Sequence, residues 1–285
     1  MPEPPAKGRP GLWFETAGEK WNEPLVLLHG FTGTLHTWDA LVERLSKRRF
    51  LIMPDLPGHG RSAGDAMDLD ATRMALANVM ANALQRDEKR KVALLGYSLG
   101  GRMALDFALK HKERLSCLIL ESASPGIQDP TERKERRARD DALAADIERR
   151  GIEWFVDYWE NTPLFAAQKK LGTAVVGRLR RERLSNSAAG IAMSLRSAGA
   201  GRMPSHWGDL ERIDIPVLLI AGERDEKYRR VGEAMERSLP NGTLAVVDGS
   251  GHCVHVERPL AFGDVVEAFL EGRVSRAARR TEAKR

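Results

Sequence analysis

The 285-residue chain contains only two cysteines, Cys117 inside the strand-like run SCLILE and Cys253 beside His252. So few thiols, so placed, make no disulfide framework. There is no CxxC and no HExxH, and the seven histidines lack metal-ligand spacing, so no metal site is expected. GxGxxG and the lysine of a phosphate-binding loop are also missing, and no cofactor is expected. No apolar run approaches the roughly 18 to 20 residues needed to span a bilayer, which speaks against membrane insertion. The opening MPEPPAKGRP has no apolar centre of the kind a secretory signal requires, so a cytoplasmic location is the expectation. An apolar content of 42% with six tryptophans speaks against disorder, and the length fits one α/β domain with an insertion or two small domains.

The formal charge of +5 is unevenly placed. Arg273, Arg276, Arg279, Arg280, Lys284 and Arg285, against Glu282 alone, account for all of it, so residues before 273 are near neutral. Residues 273–285 read as a solvated, flexible tail, as do residues 1–9, and no nucleic-acid partner is expected.

What is present is organised around Lys91 to Arg102, KVALLGYSLGGR. Val92 to Leu95 is an apolar run too short for a helix; it breaks at Gly96-Tyr97-Ser98-Leu99-Gly100, and a helical pattern runs from Gly101 to Leu109. Strand, sharp turn and helix are the setting in which G-x-S-x-G presents an exposed serine at the carboxyl edge of a parallel sheet. Gly96 and Gly100 supply the small neighbours such a turn needs.

Around it the chain alternates. Leu12–Thr16 and Pro24–Leu28 read as a first strand pair, followed by the loop His29-Gly30-Phe31-Thr32-Gly33 and a helix over Thr37–Leu45. Phe50–Met53 reads as a strand ending in the turn-rich PDLPGHGRS, and Ala71–Leu84 as a helix. Another strand, Cys117–Glu121, follows the serine helix. From Gln128 to Trp207 no strand-like run occurs; charged amphipathic helices with about a dozen arginines replace it. Alternation resumes with a strand at Ile215–Ala221, a helix at Val231–Leu239, a strand at Thr243–Val247 and a helix at Pro259–Leu270. This predicts an α/β fold with a mostly parallel central sheet flanked by helices and an inserted helical cap. The core takes residues 10–127 and 208–272, and the cap residues 128–207.

A serine hydroxyl needs an imidazole oriented by a carboxylate to act at neutral pH. The strand at 216–221 ends in GERD and the next in DGSGH, so Asp225 and His252 reach the carboxyl edge where Ser98 stands. His255 is the rival histidine, but it lies beyond that loop. Backbone N–H groups of Phe31 and Leu99 are the expected pair of donors to a developing oxyanion. His29 and His59 also read as residues that hold loops by hydrogen bonds, and Asp225 as a helix cap.

In this order, HGFTG, DLPGHGRS, GYSLGGR, GERD and GHCVHVERP resemble the α/β-hydrolase superfamily over all but the two ends of the chain. Arg102 and the segments ESASPGIQDPTERKERRARDDALA, FVDYWENTPLF, RLRRERLSNSAAGIAMSLRSAGAG and PSHW resemble the 2-succinyl-6-hydroxy-2,4-cyclohexadiene-1-carboxylate synthases of menaquinone biosynthesis. That resemblance implies a lyase that eliminates pyruvate from a small polycarboxylate. It carries substrate-binding roles to Tyr97, Arg102, Arg136, Trp159 and Arg183. Arg133, Arg137 and Arg139 compete with Arg136, and Tyr158 with Trp159. Gly199 to Pro204 departs from the family's GTGxQP, with Ala200 and Met203 in place of polar residues. A hydrolase of carboxylated esters or of C–C bonds in dicarbonyl compounds shares the same catalytic residues, and a non-catalytic small-ligand receptor keeps the same fold. A monomer or weak homo-oligomer is expected.

Overall fold

The computed structural model describes residues 11–62, 64, 67–87 and 89–272, so both expected tails lie outside the described residues. The apolar runs form strands β1 (Phe14–Ala17), β2 (Glu23–Leu28), β3 (Arg49–Pro54), β4 (Val92–Tyr97), β5 (Leu115–Glu121), β6 (Val217–Gly222) and β7 (Gly242–Val247). They make one sheet in the order β1-β3-β2-β4-β5-β6-β7, with only β1 antiparallel to its neighbour. β1 does not pair with β2, contrary to the sequence reading. It pairs with β3, Phe14 opposite Pro54 and Ala17 opposite Leu51. The reason lies in β2, whose Pro24–Leu28 is wholly buried and has both edges taken by parallel partners, β3 and β4.

The helices in chain order are α1 (Asp39–Leu45), α2 (Leu69–Ala83), α3 (Leu99–His111), α4 (Pro130–Glu160), α5 (Thr173–Leu184), α6 (Ala188–Ala198), α7 (Glu226–Ser238), α8 (Val254–Glu257) and α9 (Pro259–Leu270). Alternate strand residues serve two layers, as a pleat of period two requires. Val26, Leu28, Leu94 and Leu118 pack with Leu76 of α2 and with Met103 and Phe107 of α3. Leu25, Leu27, Leu95 and Ile119 pack on the other face with Trp38, with Leu41 of α1 and with Phe262 and Phe269 of α9. Each such leucine, fully enclosed, contributes about 1.5 to 3 kcal/mol relative to exposure.

Every described element from α4 to α6, between β5 and β6, is helical. α4 starts on a built cap: Pro130 is its first residue and Asp129 Oδ1 accepts the Glu132 N–H at 2.7 Å. Gly151, at φ 89°, breaks it into two arms. Ala144, Ile147 and Phe155 of α4 close on Ile191, Ala192 and Leu195 of α6 in a separate apolar cluster. Among the described residues no helix is long and apolar enough to cross a membrane.

Candidate active site

The turn between β4 and α3 places Ser98 at φ 51°, ψ −104°, a conformation that the surrounding chain must enforce. The Ser98 N–H donates to the carbonyl of Glu121 at 2.9 Å, tying the turn to the end of β5. A Cβ on Gly96 would meet the Gly100 carbonyl, and one on Gly100 would meet the carbonyls of Leu28 and His29. Glycine at these two positions is therefore a steric requirement of the sharp turn.

Ser98, Asp225 and His252 come together from β4, β6 and the loop after β7. His252 Nε2 stands 3.2 Å from Ser98 Oγ, and His252 Nδ1 stands 2.6 Å from Asp225 Oδ2. Asp225 also caps α7, its Oδ1 accepting the Tyr228 N–H at 3.3 Å. One oxygen thus meets the His252 ring and the other the start of α7. The loop carrying His252 is held by Glu257, which accepts the N–H groups of Gly251 at 2.6 Å and Cys253 at 3.3 Å.

His29 and His59 hold the loops on the opposite side. His29 donates from Nδ1 to the Gly30 carbonyl at 2.8 Å and accepts the Leu56 N–H on Nε2 at 2.9 Å. His59 does the same with the Pro57 carbonyl at 3.0 Å and the Thr32 N–H at 3.3 Å. Burial, the dominant cause, lowers the pKa of His29 to about 4 and that of His59 to about 3, so both rings are neutral at pH 7. Their bonds shape the loop that presents Phe31. Leu99 is the first residue of α3, so its N–H has no acceptor in a preceding turn.

Above Ser98 lies a cavity of about 420 Å³ between the sheet edge and the helical insertion. Phe31, Leu99, Arg102, Arg136, Trp159 and His252 border it together with Ser98. The Arg102 guanidinium reaches the Ala198 carbonyl from Nη2 at 3.5 Å, and among the described residues it makes no ion pair. Burial, reinforced by the charge of Arg136, lowers its pKa. Arg136 donates from Nε to Asp140 at 2.9 Å. Arg139 also reaches the wall, whereas Arg133 and Arg137 do not. Trp159 borders the cavity, while Tyr158 is 48% exposed and stacks on Trp154.

Two expected contacts sit elsewhere. Arg183 donates to Glu160 at 3.1 Å and to Gln168 at 2.7 Å, with its guanidinium over the Phe165 ring. Tyr97 lies between the rings of His252 and His255, at 5.5 and 4.7 Å between centroids. Both border a smaller neighbouring pocket rather than the serine cavity. His255, the rival histidine, is bound to Glu121 at 2.7 Å. Of Gly199 to Pro204, Gly199 and Ala200 line the cavity and Met203 is buried in the core.

Sequence reasoning missed Lys227 and Tyr228, which line the cavity from the first turn of α7; the Tyr228 ring packs 4.7 Å from that of His252. Their signal was available, since they follow Asp225 directly onto the same sheet edge. Among the described residues no group of three or more histidine, cysteine or acidic side chains is placed to hold a metal ion.

The alpha/beta hydrolase family model matches residues 25–265. A Bacillus subtilis (strain 168) protein, provisionally named a 2-succinyl-6-hydroxy-2,4-cyclohexadiene-1-carboxylate synthase, is 42% identical over 91% of this chain and 95% of its own. The Klebsiella pneumoniae protein named for the same activity is 31% identical over 83% of this chain and 89% of its own. The solved structure of MenH from S. aureus superposes with a TM-score of 0.86 at 35% identity, covering 92% of this chain and 98% of that one. With a serine elbow, a histidine and an acid in the order and places that fold dictates, and with matches that span nearly its whole length, the chain belongs to the alpha/beta hydrolase family, among the relatives of the 2-succinyl-6-hydroxy-2,4-cyclohexadiene-1-carboxylate synthases.

Proposed function

We propose that the protein is a lyase that converts 2-succinyl-5-enolpyruvyl-6-hydroxy-3-cyclohexene-1-carboxylate into 2-succinyl-6-hydroxy-2,4-cyclohexadiene-1-carboxylate and pyruvate. The observation that carries this reading beyond the family is Arg102. Its guanidinium, which makes no ion pair among the described residues, borders the cavity one helical turn after Ser98, a costly arrangement unless an anionic ligand completes it. Planar guanidinium groups hold carboxylates through paired hydrogen bonds, and this substrate carries three carboxylates.

In this reading Ser98 takes the ring proton α to the succinyl carbonyl while passing its own to His252 Nε2. Asp225 holds the ring in the tautomer that leaves Nε2 free and stabilises the imidazolium that forms. The electron pair moves into the ring, the existing double bond shifts by one position, and the carbon–oxygen bond to the enolpyruvyl group breaks. The proton held on His252 returns to the departing enolate to give pyruvate, so protons balance and no covalent intermediate forms. The Phe31 and Leu99 amides stabilise the enolate oxygen, each worth about 3 to 4 kcal/mol in sites of this kind.

The helical insertion, residues 128–207, acts as the cap that supplies Arg136 and Trp159. Tyr97 supports the His252 ring, and Arg183 braces the cap through Glu160 and Gln168. The enzyme works in the cytoplasm, where its two cysteines stay as free thiols, and as a monomer or weak homo-oligomer.

The test is a spectrophotometric assay in which the preceding enzyme generates the cyclohexene in place. Rapid pyruvate release by wild type and its loss in Ser98→Ala are expected. Background release, with hydrolysis of a p-nitrophenyl ester instead, would leave only the hydrolase reading.

A further inference from the structure

We infer that Lys227 is a substrate-binding residue of this site, the cation that takes the third carboxylate of a tricarboxylate ligand. The inference rests on the proposed function. It begins from a shortfall: Arg102 and Arg136 face the serine cavity, but Arg183, expected to be a third, is engaged by Glu160 and Gln168 and borders the neighbouring pocket. A ligand with three carboxylates needs another positive group at the wall.

Two further cations border the cavity, Arg139 and Lys227. Arg139 lies 3.7 Å from Glu135, its side chain is 63% exposed, and it is on the same helix as Arg136. Lys227 comes from another element, α7, two residues after Asp225, and makes no ion pair among the described residues. Its ammonium lies 5.6 Å from the Tyr228 ring, the ring that packs on His252. Lys227 therefore reaches the cavity from the same helix turn that sets the Tyr228 ring against His252.

Lys227 sits in the first turn of α7, whose end is already capped by Asp225 and carries Glu226 beside it. The attraction for an anion there comes from the ammonium. The other charged groups on the wall are Glu132 and Asp140, and Asp140 is occupied by Arg136. Four cations, Arg102, Arg136, Arg139 and Lys227, stand against these two carboxylates, so the wall keeps a net positive charge that suits a polyanion.

The test compares wild type, Lys227→Gln and Lys227→Arg in the coupled pyruvate assay, with Lys47→Gln, an exposed residue just before the start of β3 and outside the cavity wall, as a control. Loss of one charge-assisted contact should raise KM about 10- to 100-fold while kcat changes much less. Lys227→Arg should restore most of it, and the KM of Lys227→Gln should depend less on salt than that of wild type. An unchanged KM and salt dependence in Lys227→Gln would overturn the inference while leaving the lyase reading standing. If wild type releases no pyruvate, the lyase reading fails, and calorimetry with citrate as the probe decides the remainder. Weaker citrate binding by Lys227→Gln supports an anion site at Lys227, and equal binding removes it.

Discussion

His255 is bound to Glu121: its Nδ1 lies 2.7 Å from Oε2, its backbone N–H donates to Oε1 at 3.0 Å, and both side chains are enclosed. The pair joins the end of β5 to the turn that follows His252. Ser98 is tied to the same residue through its N–H bond to the Glu121 carbonyl. Ser98 and the histidine loop are thus braced by one residue that bonds neither the Ser98 hydroxyl nor the His252 ring.

Removing one member of a buried pair leaves the other uncompensated, at a cost of about 3 to 5 kcal/mol. Glu121→Ala should lose that much stability in urea unfolding at pH 6. Burial disfavours the His255 imidazolium, but its interactions with Cys253 and Glu121 outweigh that and hold its pKa well above 6.5. A raised folded pKa means that the contribution is fully present below the unfolded value and is lost as pH rises through the folded one. The difference between wild type and Glu121→Ala should therefore shrink in alkaline solution.

His29 and His59 have the opposite sign. Their folded values, about 4 and about 3, lie below the unfolded 6.5, so the unfolded chain binds more protons as the solution is acidified. Stability should fall from about pH 6.5 towards pH 4, and His29→Asn should flatten that fall by close to one proton. Urea midpoints measured across this range check it.

Arg102→Met should lower kcat/KM for the cyclohexene about 10²-fold or more, because a desolvated charge contact to the substrate is lost. Turnover of a small neutral ester should change far less. Equal losses for both substrates would mean that Arg102 supports the elbow and does not contact a carboxylate.

Asp225→Asn keeps the cap on α7 but no longer holds His252 in the tautomer that can take the serine proton. A fall in kcat of about 10⁴-fold with little change in the thermal midpoint is expected. A large loss of stability instead would show that its capping of Tyr228 dominates.

The order of apolar runs and turn residues was enough, unaided, to place Ser98, Asp225 and His252 on one sheet edge. Each follows the end of its strand, and parallel crossovers put those ends on the same side. The six-residue apolar strands and the glycines at 96 and 100 carry that information locally. Pairing partners and cap contacts are not local. β1 went to β3 because β2 had no free edge, and Arg183 turned to Glu160 and Gln168 because α5 packs against the end of α4. Charged residues on an amphipathic helix read alike whichever way they face. Only the packing of the helices against the sheet edge decided that Arg102, Arg136 and Lys227, from three different helices, all line the serine cavity while Arg183 does not.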